Sequence, residues 1–348
     1  MSDPHLSPIR LSPARLIAAK DMSDAARDRF ILAITGFLAF AALVSLVAGA
    51  IALATDAATY DSARAALLAL GKPAESIAAP EFYPLKLLRG AIEQIEIIGA
   101  AIAILIGYRA AISERGRQTL ALILTRPVHK RAFLAGKVMA GVLLIGLGLG
   151  AVFFVSALAL QVVSGVGLVP ADLGRIGLVW GAASLYCAAF FLVSFMLTFW
   201  MNRPAHALLF AFSLWLVLVL IAPQIGDTLD PDNQVAGGVF RQLHIAKADQ
   251  TEIMKGYASF ETIRNGIEVA SLTKHFERFS FAVLGIKDTY TGQPLGPILV
   301  EKLGDLLWIL LAFTGLAGLA LALPLSPARH IPARHIAARQ IPARQIKE

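Results

Sequence analysis

The sequence predicts an all-α, polytopic membrane protein with about six transmembrane helices, a cytoplasmic helix between spans two and three, and a helical outer loop before span six. Three observations carry this reading. Of 348 residues, 57% are hydrophobic and only 16% charged, against about half and a quarter in a soluble domain. The apolar residues gather in blocks that reach the ~20 residues a hydrocarbon core requires. The basic residues, in turn, collect in alternate loops, as the cytoplasmic excess of Lys and Arg dictates.

The blocks run about Phe30 to Ala54, Gly90 to Tyr108, Val138 to Val163, Ile176 to Trp200, Ala207 to Ala222 and Leu303 to Leu323. The fifth is the shortest, and Pro223 is expected to limit its outer end; its "LLFAFSLWLVLVLIA" run contains no charge. The first block is too long for the 7–15-residue core of a signal peptide, and it reads as an uncleaved anchor. Gly146-x-x-x-Gly150 and Gly177-x-x-x-Gly181 are spacings that let membrane helices approach closely.

Arg10, Arg15, Lys20, Arg27 and Arg29 precede span one. The second loop carries Arg109, Arg115, Arg117, Arg126, Lys130, Arg131 and Lys137, and the tail Arg329, Arg334, Arg339, Arg344 and Lys347. The third loop has Arg175 alone. Both termini are therefore expected on the cytoplasmic face of the inner (plasma) membrane. The chain divides into a cytoplasmic segment 1–29, spans one to five over 30–224, an outer loop 225–302, span six at 303–324 and a basic tail 325–348.

The tail repeats a pentad, "PARHI PARHI AARQI PARQI", from Pro327 to Ile346. Proline every five residues excludes a regular helix, and the repeat has too little apolar bulk to fold alone. It is expected to be disordered and to lie on anionic lipid. In the outer loop, Phe260, Ile263, Ile267 and Ala270 fall near one helical face, so amphipathic helices on the outer surface are expected there. This loop is the surface for any extracytoplasmic partner.

The net charge of +7 follows from the cytoplasmic loops; no basic, aromatic-interleaved domain supports a nucleic-acid partner. Cys187 is the only cysteine, which excludes an intramolecular disulfide and a cysteine metal cluster, and it reads as a small buried hydrophobe. No His-Glu-x-x-His pair, Gly-x-Ser-x-Gly elbow or phosphate-binding Gly-x-x-x-x-Gly-Lys-[Ser/Thr] loop occurs. No catalytic residue, metal site or cofactor is expected in this chain. Within the spans the notable ionisable groups are Glu93 and Glu96, three residues apart on one helix face. They are the candidate pathway residues, and their isolation argues against an ion-coupled carrier.

"ERGRQTLALILTRPVHKRAFLAGK", from Glu114 to Lys137, breaks this pattern. Leu120, Ile123 and Leu124 give an apolar stripe among charges, and Pro127 ends the helix by lacking an N–H and restricting Arg126. A short amphipathic helix at about 112–127, joined rigidly to two spans, can seat in a groove of a peripheral protein and pass on its motion.

Glu114, Gly116, Thr119, Leu120, Leu124, Thr125, Pro127, Arg131, Leu134, Gly136 and Lys137 resemble the signature of ABC-2 type ATP-binding-cassette permeases. The nearest likeness is to the permease of copper and nitrous-oxide-reductase maturation systems. One position departs: Gln118 precedes Thr119 where the family usually has glycine. The resemblance implies a permease subunit that pairs with a second copy and rests on a separate ABC ATPase, which binds ATP and Mg and drives substrate across the membrane. It makes 112–127 the coupling helix, with Glu114, Arg115, Gly116, Arg117, Thr119, Leu120, Leu124, Pro127 and Arg131 at the ATPase interface. The alternative is a non-transporting subunit that relays ATPase work to an outer partner or serves as a scaffold.

Overall fold

The computed structural model describes residues 12–70, 83–116, 129–228 and 269–324, with isolated positions between 243 and 266. Within these the chain is helical, with no strand. A short helix α1 (Pro13–Ala26) precedes α2 (Arg29–Ala69). A 3-10 turn (Pro84–Leu88) opens α3 (Arg89–Gln94), which continues through a π turn (Ile95–Gly99) into α4 (Ala100–Gly116). Then come α5 (Lys130–Ser164), α6 (Pro170–Trp200) and α7 (Pro204–Trp215), a second π turn (Leu216–Ile221) and α8 (Ala222–Thr228). Finally α9 (Leu272–Val283) and α10 (Leu295–Glu301) lead to α11 (Leu303–Leu321).

Six helices are long and apolar enough to cross a membrane, as the hydrophobic blocks predict, but their ends differ from the sequence reading. The first span is a 41-residue helix, about 60 Å at 1.5 Å per residue, twice the ~30 Å hydrocarbon core. Its "TDAATYDSARAALLA" end is polar but alanine-rich, so helix propensity carries it past the apolar block. Pro223 does not end the fifth span. It lacks the N–H that would bond the carbonyl four residues back, and the π turn at Leu216–Ile221 just before it rearranges the bonding so that the helix continues.

At the centre stands α6, which buries Val179, Ala183, Tyr186, Cys187, Phe191 and Phe195. Two glycines receive Phe191. A Cβ at Gly107 of α4 would come within 2.3 Å of the Phe191 carbonyl oxygen, and one at Gly141 of α5 within 2.0 Å of its ring. Of the two paired-glycine spacings, the first receives a partner: Trp180 donates from Nε1 to the Gly146 carbonyl at 2.8 Å and lies against Gly150. Gly177 and Gly181 face open space. The outward faces of α2, α7 and α11 show Phe37, Phe40, Leu209, Phe210 and Leu311, which suits contact with lipid rather than water.

The outer loop departs from expectation. Phe260, Ile263 and Ile267 lie outside the described residues, and Ala270 is exposed. The helix that is described, α9, does not lie on the surface. It is wedged among α3, α6 and α11, with Phe276 stacked on Tyr186 at 4.6 Å and Phe279 fully buried. Thr273 lies at Tyr186 and Val283 at Arg175. Those α6 positions are about 16 Å apart along the helix, so α9 dips into the bundle.

Candidate functional site

The expected coupling segment begins where α4 ends at Gly116 and returns at His129, the N-cap of α5. Arg117, Thr119, Leu120, Leu124 and Pro127 lie outside the described residues, and only the helical backbone of Arg115 and Gly116 is described. Arg131 is exposed in the first turn of α5. The two anchors of the segment are therefore in view.

These anchors are locked together. Lys137 Nζ donates to Glu114 Oε1 at 2.6 Å and reaches Asp21 Oδ2 at 2.8 Å. Lys137 is 3% and Glu114 8% exposed. One ammonium thus serves two carboxylates away from water, where losing one partner is far more costly than at a surface. Glu114, one of the residues expected at the ATPase interface, turns its carboxylate inward to Lys137 at the end of α4.

Gly136 explains the small residue beside that lysine. A Cβ there would meet the Ala14 carbonyl oxygen and Ile17 Cβ, each at 2.8 Å. Glycine lets α1 cross α5 closely enough for Asp21 to reach Lys137. A second tie lies close by. Asp28 caps α2 by accepting from the Phe30 N–H at 2.9 Å, an ordinary N-cap role. Its other oxygen accepts from Arg109 of α4, whose guanidinium sits 4.4 Å above the Phe30 ring. Both ties connect α1 and the start of α2 to the helices that bracket residues 117–128.

The outer candidates separate. Glu93 is half-buried and pairs with Arg89 one turn back at 2.9 Å. Glu96 is 9% exposed and lies in the π turn. Side chains of neighbouring helices bond to the carbonyls of that turn. Tyr186 donates to the Glu96 carbonyl at 3.0 Å and Trp215 to that of Ile97 at 3.3 Å. No hydrogen bond or ion pair engages the Glu96 carboxylate among the described residues. Lys274 and Glu277 of α9 are the charges in its field besides Glu93.

Sequence reasoning missed Arg175. It is 6% exposed and donates to the Val283 carbonyl at 2.6 Å and to that of Gln293. A guanidinium there satisfies the C-terminal carbonyl of α9 and complements its dipole. His275 bridges Asp305 of α11 at 2.6 Å and the Val269 carbonyl at 3.0 Å. The only sequence signal was a charged residue at the start of an apolar block, Arg175 before Ile176 and Asp305 just after Leu303. Among the described residues no three His, Cys, Asp or Glu side chains gather as metal ligands.

Residues 15–325 match the family model described as ABC-2 family transporter protein, and the chain belongs to that family. It is accordingly a multi-pass membrane protein and a permease subunit of an ABC transporter, a generally non-catalytic role, and membership implies association with an ABC ATPase subunit. The match is to the family as a whole, without choosing among its branches. No curated protein matches the chain.

Proposed function

We propose that this chain works as a homodimer in the inner membrane, with both termini cytoplasmic, and moves substrate using ATP and Mg bound by the separate ATPase. Residues 112–127 would be the element that the ATPase grips. The observation that carries this reading is the Glu114–Lys137–Asp21 cluster. A docking segment transmits motion only from a rigid base, and this cluster joins the segment's two ends to each other and to α1. Glu96, buried beside α9 and with no partner for its carboxylate among the described residues, is the candidate pathway residue in this scheme. Glu93 is already paired at the surface and drops to a supporting place.

The test is co-purification. Arg117→Glu and Arg131→Glu combined with Leu124→Asp should release the ATPase and abolish its transport-coupled hydrolysis, while the permease remains folded. Retention of both would defeat the assignment. The mechanotransmitting alternative has one observation in its favour: α9, part of residues 225–302, is held by Arg175 of α6 and by Asp305 of α11, a tie through which span motion would pass to that segment. Reconstituted transport against pull-down with residues 225–302 separates the two readings.

A further inference from the structure

His275 is held on both sides of its ring. Nδ1 lies 2.6 Å from Asp305 Oδ1 of α11, and Nε2 lies 3.0 Å from the Val269 carbonyl oxygen just ahead of α9. We propose that this bridge is a proton-operated latch, closed by the imidazolium and half-opened by the neutral ring, that makes the seating of α9 depend on pH. A carbonyl oxygen only accepts, so Nε2 carries a hydrogen. A carboxylate also only accepts, so the Asp305 contact needs a second hydrogen at Nδ1, and only the protonated ring offers both. The requirement is the same if that second hydrogen sits on Asp305: the bridge holds one proton more than a neutral imidazole beside a carboxylate.

The surroundings favour that proton. His275 is 6% exposed and the Asp305 side chain 13%, so proton loss leaves the carboxylate as an uncompensated charge away from water, which is costly. The Trp308 ring lies 5.6 Å from the imidazole, a distance at which an aromatic face attracts a cation. The other charges on α9 and the elements packed against it are mostly engaged elsewhere. Lys274 pairs with Glu277, Arg89 of α3 with Glu93, and Lys302 with Glu301 of α10. Arg175 and Asp172 of α6 serve backbone groups. Arg278 of α9 and Glu96 of the first π turn complete the set, and the second π turn carries no charge.

A neutral ring keeps one bond of the two. The carboxylate is the stronger acceptor, so Nδ1–H stays with Asp305 and Nε2 turns a bare lone pair toward Val269. That carbonyl belongs to the entry of α9, which Ser271 caps by accepting from the Lys274 N–H at 3.3 Å. Proton loss therefore loosens the entry, while Arg175 still holds the far end at Val283. The bridge is complete on the acid side and weakens as pH rises through about 5 to 8, where histidine changes charge. The loosened end is the one nearest Glu96, because Tyr186 touches both Thr273 and the Glu96 carbonyl. None of this depends on the ATPase or on the coupling assignment.

The experiment follows hydrogen exchange in the full chain in nanodiscs, without ATPase or nucleotide, across about pH 5 to 8, with labelling times scaled to the intrinsic exchange rate. Protection of Leu272–Glu277 should fall about tenfold as pH rises, the worth of one bond from a charged group, while Phe279–Val283 changes little. His275→Gln should show the weaker protection at every pH. Glu96→Gln removes the other buried carboxyl beside α9 and should keep the parent's response. Asp305→Asn keeps an acceptor for Nδ1 but removes the charge, and should move the transition to lower pH; it carries the test alone if His275→Gln does not fold, which Cys187 labelling on heating reveals. Flat scaled exchange in the parent, a response that survives in folded His275→Gln or vanishes in Glu96→Gln, or a transition unmoved by Asp305→Asn would overturn the proposal.

Discussion

Lys137 and Glu114, 23 residues apart in the chain, meet at 2.6 Å in a buried ion pair that also holds Asp21 of α1. Lys137→Met should destabilise the protein strongly, because it leaves two carboxylates facing each other with no cation between them. Breaking a buried pair in this way costs about 3–5 kcal/mol. The sole cysteine is a ready reporter, since Cys187 is buried and accepts a thiol dye only on unfolding. Adding Asp21→Asn and Glu114→Gln should recover much of the lost melting temperature. If Lys137→Met alone melts like the parent, the cluster does not hold the segment's base.

Phe191 makes a second prediction. Gly141→Val would drive a side chain into its ring, and Gly107→Val into its backbone. Overpacking of a tight core costs about 1–3 kcal/mol, occasionally more, and the backbone clash at Gly107 should be the worse, since a carbonyl cannot rotate away. Gly177→Val faces open space within the chain and should leave the monomer's melt nearly unchanged in the same dye assay. Equal losses at all three positions would contradict the packing.

The legible parts of this molecule were those that lipid enforces. Apolar blocks of sufficient length had to become spans, and the Gly136-Lys137 pair could be noticed as a motif. Its reason could not, because Ile17 and Asp21 approach through tertiary packing that no local pattern encodes. The depth of α9 was hidden for a related cause: a helix with Phe276 and Phe279 on one face looks the same whether it rests on headgroups or enters a bundle. Pro223 misled because its rule holds for an α-helix, whereas the π turn before it changes the bonding. Arg175 was counted as a loop charge, and only its carbonyl partners on α9 reveal its structural role.

At the foot of the last span, Tyr290 donates to Glu301, and Lys302 lies 3.1 Å from the same carboxylate. The Tyr290 bond first, then Lys302, hold the Glu301 carboxyl below the usual carboxylate range. A carboxyl lowered on folding adds stability above its unfolded-state pKa, and that contribution fades as pH falls through the folded value. Tyr290→Phe should therefore raise the Glu301 titration midpoint toward its ordinary value, read by carboxyl carbon NMR, and bring the acid-side loss of order around α10 to a higher pH. An unmoved midpoint would mean that the bond does not persist in solution.

Arg175 carries the last prediction, because it joins a transmembrane helix to the helix that dips beside it. Its guanidinium spans two carbonyls, Val283 at the end of α9 and Gln293 in the turn beyond. Arg175→Met keeps the aliphatic bulk but strands both acceptors, each worth about 1–3 kcal/mol when buried and unbonded. Arg175→Lys should rescue only in part, since a single ammonium does not reproduce the planar fork that reaches two oxygens at once. The effect should be local. Hydrogen exchange in α9 should quicken in both variants, more in the methionine one, while α4 and α5 stay protected because their ties run through Lys137 and Arg109. If α9 exchange is unchanged, its seat is set by Phe276 and Phe279 alone. If exchange rises throughout the bundle, Arg175 is a global stabiliser and the outer loop has no separate hinge there.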